Sequence, residues 1–312
     1  MNNKNIVIVG GAGFLGSHLS NYLHQENRVL VLDNLLSGKT EYLNTKIEFK
    51  KFDIRYSTIR LYKILQDFQT DYVFHLAACP FIPDSYTNPG EFVDINIKGT
   101  LNVLKACQEA SVEKIIVYSS SEIYGGTKNR EEAINENTPT FPRSFYATTK
   151  LATDRLSYNF FKEHNVPVVI LRQFNSFGPN WTQPYIVPEI MKQFSKSNIL
   201  KLGNLKACRD FIYVKDQVRM VSELMEKGEL GEVYNLGSEK SYSVEEIATL
   251  IGKLMGKEPD FQVETSKLRP DDVNFLLSDN SKIYNILNSR PEFSFEEGLK
   301  ETYEWFKTRK TV

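Results

Sequence analysis

A tyrosine and a lysine stand four residues apart, as Tyr146 and Lys150, in the stretch SFYATTK (144–150). On a helix, side chains at this spacing leave the same face one turn apart. A phenol has a pKa near ~10, and a neighbouring positive charge favours its ionised form. The pair could therefore take a proton from a substrate hydroxyl group. A solvent-exposed helix face supplies the same two residues by chance, so the interpretation needs support from the rest of the chain.

Three serines and a glutamate follow the apolar segment KIIV, within the stretch YSSSEIYG (118–125). We expect Ser120 and Ser121 to present hydroxyl groups at the end of a buried strand, and Glu122 to present a carboxylate. This composition suits a turn, a helix cap or a catalytic site, and the residue types alone leave these alternatives open.

The glycine pattern Gly11-x-Gly13-x-x-Gly16 follows a strand-like segment and opens a helical one. Such glycines let the backbone turn tightly and approach a pyrophosphate at the helix N-terminus. Asp33 ends the next strand-like segment about 20 residues on, where a carboxylate can bind the adenosine ribose. Because a carboxylate repels a 2′-phosphate, the pattern favours NAD over NADP. The alternative is a structural glycine-rich turn with an incidental aspartate.

The ends of later strand-like segments extend this predicted cofactor site. Asp53 could bond the adenine amine, and the small residues of HLAA (75–78) would let a cofactor lie close, although small residues also suit helix–sheet packing. The predicted cofactor-binding residues are Gly10, Gly13, Phe14, Leu15, Gly16, Asp33, Asn34, Asp53, Ile54, Leu76, Ala77, Ala78, Tyr146 and Lys150.

The scaffold that must position these residues alternates short apolar segments with amphipathic helical ones. Strands that are apolar throughout, with helices between them, predict an α/β fold with a doubly wound, Rossmann-like parallel sheet. The predicted strands are residues 5–10, 28–33, 47–54, 71–78, 114–120, 167–174 and 232–237. The predicted helices include residues 14–24, 97–110, 243–256 and 293–310, and Ser243 and Glu246 have capping-box spacing.

The alternating pattern loosens after residue 175. Residues 174–190 are rich in proline, glycine and aromatic side chains and are predicted to form an irregular cap. We predict an NAD-binding domain over residues 1–174, with about 207–237 returning to it. A smaller, interleaved α/β substrate-binding lobe is predicted over residues 175–206 and 238–312.

Composition excludes several classes of function. The chain has 312 residues and a net charge of −1, with no basic patch for nucleic acid. It has no apolar run of the ~20 residues that a membrane span needs. Its three cysteines are far apart and lack CxxC spacing. This usage favours reduced thiols in a cytoplasmic protein over disulfides or a zinc site, and no metal site is predicted.

The chain resembles the extended short-chain dehydrogenases/reductases, in particular the NAD-dependent nucleotide-sugar epimerases and dehydratases. The resemblance covers nearly the whole chain. It implies tightly bound NAD that is regenerated in each turnover, and a nucleotide diphosphate sugar as substrate. The motifs that carry it are GGAGFLGSHL (10–19), DNLLSG (33–38), HLAA (75–78), YSSSEIYG (118–125), YATTK (146–150), LRQFNSFGP (171–179), RDFIYVKD (209–216) and RPDDV (269–273).

The resemblance also implies roles for single residues. Tyr146 begins the family's Tyr-x-x-x-Lys pair, and Ser120 matches a Ser or Thr that binds the sugar hydroxyl being oxidised. Arg209 and Arg269 match arginines that clamp the diphosphate, with a surface salt bridge as the alternative. For Ser85, a hydroxyl used only within a turn is an equal alternative to a sugar contact. The implied substrate-binding residues are Ser85, Asn175, Val187, Arg209, Arg269 and Asp272.

The position of Glu122 bears on which reaction follows the first oxidation, commonly at C4 of the sugar. An epimerase only returns hydride to the other face, whereas a 4,6-dehydratase needs a base for the C5 proton. Similar dehydratases carry a glutamate here, preceded by Asp, or by Ser or Thr in some branches. Ser121 occupies that preceding position, so the general acid for the C6 hydroxyl is unassigned. A helix cap or a salt bridge is the non-catalytic alternative for Glu122.

The resemblance therefore implies a nucleotide-sugar 4,6-dehydratase. It also suggests UDP-N-acetylglucosamine-type substrates, but this match is weaker than the match to the shared motifs. UDP-glucuronate decarboxylases carry the same glutamate, so decarboxylation stays open, as do C4 epimerisation and 5,6-dehydration. A non-catalytic NAD sensor is a more distant alternative. The resemblance also implies a homodimer that pairs through residues 97–110 and 145–164.

Overall fold

The computed structural model describes residues 1–309. Residues 310–312, which the sequence assigns to the second lobe and, for residue 310, to the last helix, lie outside this range. The strands are β1 (Asn5–Val9), β2 (Arg28–Asp33), β3 (Glu48–Lys51), β4 (Tyr72–His75), β5 (Lys114–Tyr118), β6 (Val168–Gln173), β7 (Asn175–Phe177), β8 (Ile199–Leu202), β9 (Cys208–Tyr213), β10 (Val233–Leu236), β11 (Ser241–Ser243), β12 (Asp260–Val263) and β13 (Phe275–Leu276).

The helices alternate with these strands through most of the chain. They are α1 (Phe14–Leu23), α2 (Thr58–Asp67), α3 (Ile82–Thr87), α4 (Pro89–Phe92), α5 (Thr100–Ala110), α6 (Phe145–His164), α7 (Ile186–Phe194), α8 (Val214–Lys227), α9 (Val244–Met255), α10 (Ser281–Tyr284) and α11 (Phe295–Thr308). Residues Val93–Gly99 form a π-helical turn that leads into α5, and Ser121–Tyr124 form a 3₁₀ turn after β5.

The large sheet contains all seven strands predicted from the apolar segments, in the order β3-β2-β1-β4-β5-β6-β10. Every pair in it is parallel. Alternate residues of β1 show that both faces are covered: Ile6 and Ile8 pack with α1 and α8, and Val7 packs with α2 and α5. The predicted doubly wound, Rossmann-like fold is therefore confirmed.

A second, smaller group of strands lies beyond β6. Strand β9 pairs in parallel with β7 and β13 and antiparallel with β11, while β8 pairs with β12. Residues 174–190, predicted to be irregular, contain β7 and the start of α7. Residues 207–213, expected to return to the large sheet, instead contribute β9 to the small one; the return begins with α8 and ends in β10. The exact division into two lobes stays a prediction.

Local signals explain several helix boundaries. Ser243 accepts a hydrogen bond from the Glu246 backbone, and the Glu246 side chain binds back, which confirms the predicted capping box of α9. Ser144 caps α6 by accepting from the Ala147 backbone at 3.1 Å. Within residues 1–309, no helix combines the length and the apolar character needed to cross a membrane.

Candidate active site

A cavity of about 1040 Å³ opens where the carboxyl ends of the central parallel strands meet. Ligands of doubly wound sheets bind at this edge, at the point where the strand order reverses. Most residues predicted from the sequence line this one cavity. They are Gly10, Gly13, Phe14, Leu15, Gly16, Asp33, Asn34, Ile54, Leu76, Ala77, Ala78, Ser120, Ser121, Glu122, Tyr146, Lys150, Asn175, Arg209, Arg269 and Asp272.

The glycine loop between β1 and α1 forms a cradle that side chains would fill. Gly10 has φ +87°, and a Cβ on it would lie 2.5 Å from the Ala77 backbone nitrogen. A Cβ on Gly16 would collide with the Gly10 carbonyl oxygen. Gly13 caps α1 without a side-chain hydrogen bond, and the first residues of the helix, Phe14, Leu15 and Gly16, line the cavity. This arrangement suits a pyrophosphate.

The Asp33 carboxylate lies at the end of β2 and is held by two backbone bonds, from Ala12 at 3.0 Å and from Leu35 at 2.8 Å. Burial raises its pKa, and the two hydrogen bonds oppose that rise. Each carboxylate oxygen has further acceptor capacity after one bond. The residue therefore fits the predicted ribose contact.

Asp53, predicted to bond the adenine amine, has its carboxylate bound by neighbouring side chains. Its carboxylate is bound by Arg55 at 2.7 Å and by Asn34 at 3.1 Å, and it is not among the residues that line the cavity over the described range. The hydrogen bonds from Arg55 lower the pKa of Asp53 to about 2. Asp53 instead fixes Asn34, which, like Ile54, does line this end of the cavity.

Tyr146 and Lys150 leave the same face of α6 and both reach the cavity, as their spacing predicts. Burial raises the pKa of Tyr146 to about 12, partly offset by a hydrogen bond with Ser120. Lys150 donates to the Tyr118 carbonyl oxygen rather than to the phenol. Burial lowers the pKa of Lys150 to about 8, while Asp154, one turn further along α6, opposes this shift.

The lowered pKa of Lys150 predicts a pH effect on folding. The unfolded side chain titrates at 10.5, so the unfolded chain binds more protons than the folded one between pH 8 and 10.5. The free energy of unfolding therefore rises with pH in this window. The Lys150→Met variant should lack that rise, which amounts to as much as roughly 3 kcal/mol.

Chemical denaturation of the cofactor-free proteins from pH 7 to 10 measures this effect. The difference between the two proteins isolates Lys150, because shifts at other titrating groups cancel. Parallel stability profiles for the wild type and Lys150→Met would contradict the prediction.

The turn after β5 places Glu122 in the cavity. The Ser120 hydroxyl accepts from the Glu122 backbone at 3.2 Å, so Ser120 caps the turn and Glu122 does not. At the end of the same turn, the Tyr124 hydroxyl donates to the Asn235 side chain at 2.7 Å and accepts from the Arg172 guanidinium at 2.9 Å. Glu122 is only 9% exposed and lies in the same cavity wall as Ser120 and Tyr146. Of the alternatives for YSSSEIYG, a turn that carries a site therefore fits best.

Two arginines and a second carboxylate surround Glu122. The pairing of β9 with β13 brings Arg209 next to the segment that carries Arg269 and Asp272. Arg209 lies 3.5 Å from both Glu122 and Asp272, and Arg269 lies 4.0 Å and 3.7 Å from the same two residues. These distances exceed the ~2.7–2.9 Å of a strong charged hydrogen bond. The guanidinium groups are thus close to acids yet loosely bound, as suits a site for an anionic ligand.

Two predicted substrate contacts lie outside the cavity wall. Ser85 is fully buried and donates to the Ile82 carbonyl at 2.7 Å inside α3, which favours the turn-hydroxyl alternative. Val187 is 2% exposed and packs in the core, because α7 begins at Ile186 and turns the next residue inward. The neighbouring residues Tyr86 and Ile186 line the cavity instead.

Sequence reasoning missed several phenols that line the cavity, among them Tyr86 and Tyr185. Burial raises the pKa of Tyr86, whose nearest charged groups include Arg269 and Glu122. Tyr185 packs edge-on against Phe81, with 6.3 Å between the ring centres. Burial raises the pKa of Tyr185, and the nearby Tyr146 adds to that rise. Aromatic residues are frequent in this chain, so the only signal was their placement near the HLAA and NWTQPY segments.

The family model described as GDP-mannose 4,6 dehydratase matches residues 7–302. The chain belongs to this family. Membership confirms the predicted group of NAD-dependent nucleotide-sugar dehydratases and epimerases, and relatives of both kinds match the chain.

Individual dehydratases and epimerases match along almost the whole chain. A dTDP-glucose 4,6-dehydratase of Neisseria gonorrhoeae is 29% identical, over 99% of this chain and 97% of its own. A solved UDP-N-acetylglucosamine 4-epimerase of Methanobrevibacter ruminantium, in complex with UDP-N-acetylmuramic acid, has a TM-score of 0.89 and 32% identity, covering 99% of this chain and 100% of that one. A Thermus thermophilus UDP-glucose 4-epimerase, solved with NAD, has a TM-score of 0.89 and 26% identity, covering 97% and 99%.

Some curated relatives are longer. The chain spans 47% of trifunctional Arabidopsis thaliana proteins whose names include UDP-glucose 4,6-dehydratase, at 28% identity over 97% of this chain. Dehydratases and epimerases thus match to similar degrees, and the choice between the two reactions depends on the site.

Proposed function

We propose that this protein is an NAD-dependent nucleotide-sugar 4,6-dehydratase. The observation that carries the proposal is the buried Glu122 carboxylate in the same cavity as Ser120 and Tyr146. A 4-epimerase needs no base at this position, whereas elimination needs one at C5. UDP-N-acetylglucosamine is the first substrate to test. A homodimer and a cytoplasmic location remain predictions from the sequence.

NAD fits the residues at the carboxyl ends of β1 and β2. Gly10 and Gly16 leave room for a pyrophosphate, and Asp33 offers its carboxylate to the adenosine ribose while disfavouring a 2′-phosphate. When bound, NAD supplies the acceptor for the C4 hydride and returns that hydride to C6, so it is regenerated within one turnover. The nicotinamide end would lie beside Lys150 and Tyr146.

Tyr146 acts first, as the base for the C4 hydroxyl. Its pKa of about 12 without cofactor means that a positive charge must favour the phenolate, and the oxidised nicotinamide ring supplies one. Ser120 holds the phenol and orients the sugar hydroxyl. The C4 hydroxyl proton passes to Tyr146 as hydride leaves C4, which produces a 4-ketone.

Glu122 acts second, on the proton at C5 that the new ketone has made acidic. The negative charge of Glu122 raises the pKa of Tyr146, so the two anions disfavour each other. Once Tyr146 has taken its proton and become neutral, that repulsion is gone. Glu122 takes the C5 proton and passes it to the C6 hydroxyl, which leaves as water. C6 then receives the hydride and C5 takes a proton from solvent, while Tyr146 releases its proton to solvent, which restores the starting state.

Arg209 and Arg269 bind the diphosphate in this proposal. Their loose contacts with Glu122 and Asp272, at 3.5–4.0 Å, can be exchanged for phosphate oxygens in bidentate geometry. Diphosphate binding would thereby draw the guanidinium groups away from Glu122 and leave its carboxylate free to accept a proton.

This arrangement predicts that Arg209→Ala weakens binding of UDP about 10- to 100-fold, the loss of one or two charge-assisted hydrogen bonds. Isothermal calorimetry on the NAD-containing protein measures the affinity. Arg28→Ala, which removes an exposed arginine paired with Glu48 away from the cavity, is the control and should bind UDP as the wild type does. An unchanged affinity in Arg209→Ala would exclude Arg209 from the diphosphate site.

A C4 epimerase is the second candidate, favoured by the names of the two solved relatives. A uronate decarboxylase is less favoured, since a uronate would bring a second carboxylate beside Glu122. A 5,6-dehydratase would use the same carboxylate near C5. A non-catalytic NAD sensor would not need Tyr146, Lys150 and Glu122 together in one cavity.

Mass spectrometry after incubation with UDP-, GDP-, CDP- and dTDP-sugars, without added NAD, separates these functions. Loss of water from one sugar is expected. A new isomer of unchanged mass would indicate an epimerase, and loss of carbon dioxide would indicate a decarboxylase. No reaction with any sugar would favour the sensor.

A further inference from the structure

Arg143 bridges two segments of the candidate site that are far apart in sequence. It lies one residue before Ser144, the cap of helix α6. Its Nε donates to the Gly125 carbonyl oxygen at 2.7 Å, and its Nη1 donates to Asp271 Oδ1 at 2.7 Å. Gly125 closes the turn that carries Glu122, and Asp271 precedes Asp272.

The contact at Gly125 is sterically fixed. Gly125 has φ +71°, and a Cβ there would collide with the Phe141 carbonyl oxygen. Phe141 in turn donates its backbone N–H to the Ile123 carbonyl at 2.9 Å. Residues 141–143 therefore run directly along the Glu122 turn, and Arg143 donates a hydrogen bond to the carbonyl of Gly125, the residue that ends the turn.

The contact at Asp271 is the tightest polar link of the segment that carries Arg269 and Asp272. Other side-chain contacts of residues 269–272 within the described chain are longer, at 3.2 Å from Asn204 to Asp272 and 3.5–4.0 Å among the charged cluster. Backbone pairing holds the segment from residue 274 onward, and the Arg143–Asp271 pair is the short side-chain link between residues 269–272 and the Glu122 turn.

We propose that Arg143 is a positioning residue that holds the base Glu122 and the diphosphate-binding segment 269–272 at a fixed separation. A guanidinium suits this role because its planar fork reaches two acceptors at once, which an ammonium on a flexible stem does not do with the same geometry. The part that concerns Glu122 rests on the proposed dehydratase function; the part that concerns segment 269–272 requires only that the site binds a nucleoside diphosphate.

If the Arg143–Asp271 pair served only to stabilise the fold, variants at these positions would unfold at lower temperature, which we do not expect. Arg143 and Asp271 are 37% and 53% exposed, and exposed ion pairs contribute little to folding stability. Variants at these positions should fold, with thermal unfolding close to that of Glu48→Ala. That control removes the exposed Arg28–Glu48 pair, which also has a 2.8 Å contact but lies away from the cavity.

Calorimetric titration of the NAD-containing protein with UDP tests the bridge. We expect Arg143→Ala, Asp271→Ala and the double variant each to bind UDP about tenfold more weakly, because all three break the same link. Arg143→Lys, which can restore the Asp271 pair, should lie between Arg143→Ala and the wild type. Wild-type affinity in Arg143→Ala, or losses that multiply in the double variant, would overturn the proposal.

A second readout concerns Glu122. With the sugar that the wild type converts, Arg143→Ala should accumulate reduced nicotinamide at steady state and raise the KM for the sugar. This result is expected because oxidation continues while elimination is slowed. Equal slowing of both steps, with no accumulation, would overturn the catalytic part. If the wild type converts no sugar, the proposed function fails while the UDP titration still decides the bridge.

Discussion

Replacing Glu122 by glutamine should abolish loss of water from the sugar while leaving the first oxidation in place. Glutamine keeps the shape of the side chain and its place in the cavity but cannot accept the C5 proton. A positioned general base contributes about 10²- to 10⁴-fold to a rate, so elimination should fall by that amount. Mass spectrometry measures the water loss, and the near-ultraviolet absorbance of reduced nicotinamide measures the oxidation.

Asp84→Asn is the matched control for Glu122→Gln. It makes the same carboxylate-to-amide change at an exposed residue of the cavity wall, and it should retain both steps. Full dehydratase activity in Glu122→Gln would remove Glu122 from the mechanism and with it the argument for a dehydratase over an epimerase.

The Tyr146→Phe variant should fail one step earlier. Without the phenol oxygen nothing takes the C4 hydroxyl proton. The rate of nicotinamide reduction and the rate of water loss should therefore both fall by about 10²- to 10⁴-fold. Binding of UDP should be unchanged, because the arginines that we assign to the diphosphate are untouched.

Tyr234→Phe controls for removal of a buried phenol oxygen elsewhere. Tyr234 lies on β10 and does not line the cavity, and its hydroxyl accepts a hydrogen bond from the Glu229 backbone at 3.2 Å. This variant should keep its activity and lose only the net contribution of one hydrogen bond, about 1 kcal/mol. Oxidation at the wild-type rate in Tyr146→Phe would contradict the assignment of the base.

The large sheet was predictable because its central strands are buried on both faces. Such strands are apolar at nearly every position, as in NIVIV and VVILR, and stand out from the helices between them, whereas the edge strand β3 is polar and mostly exposed. The small lobe was not, since β9 pairs with β13, more than sixty residues away, and β7 and β13 are only three and two residues long. The convergence of Arg209 with Asp272 depends on that pairing, and only the family resemblance suggested it.

Helix phase explains why two predicted substrate contacts, Ser85 and Val187, do not line the cavity. Neighbouring residues of a helix point about 100° apart, so an error of one position replaces a cavity residue by a core residue. In α3 the cavity receives Tyr86 rather than Ser85, and in α7 Ile186 rather than Val187. Both cavity residues are partly apolar and both buried ones are small or apolar, so hydrophobic pattern does not separate them.

Asp53 illustrates a different limit. A carboxylate at a strand end suggests a ligand contact, but Arg55, two residues on, satisfies it within the chain. Local ion pairs such as Asp53–Arg55 depend on side-chain conformations, which the spacing of residues along the sequence does not predict. By contrast, within residues 1–309 the Asp33 carboxylate is bound only by backbone N–H groups, and Asp33 lines the cavity.

The most direct test of the account is the reaction in D₂O with the sugar that the protein converts. A 4,6-dehydratase should give a product that has lost one water and gained a single solvent deuterium at C5, with the original C4 hydrogen at C6. Loss of water without deuterium at C5 would instead indicate a 5,6-ene product. A product of unchanged mass without deuterium would contradict the central claim that Glu122 removes the C5 proton, and would identify an epimerase.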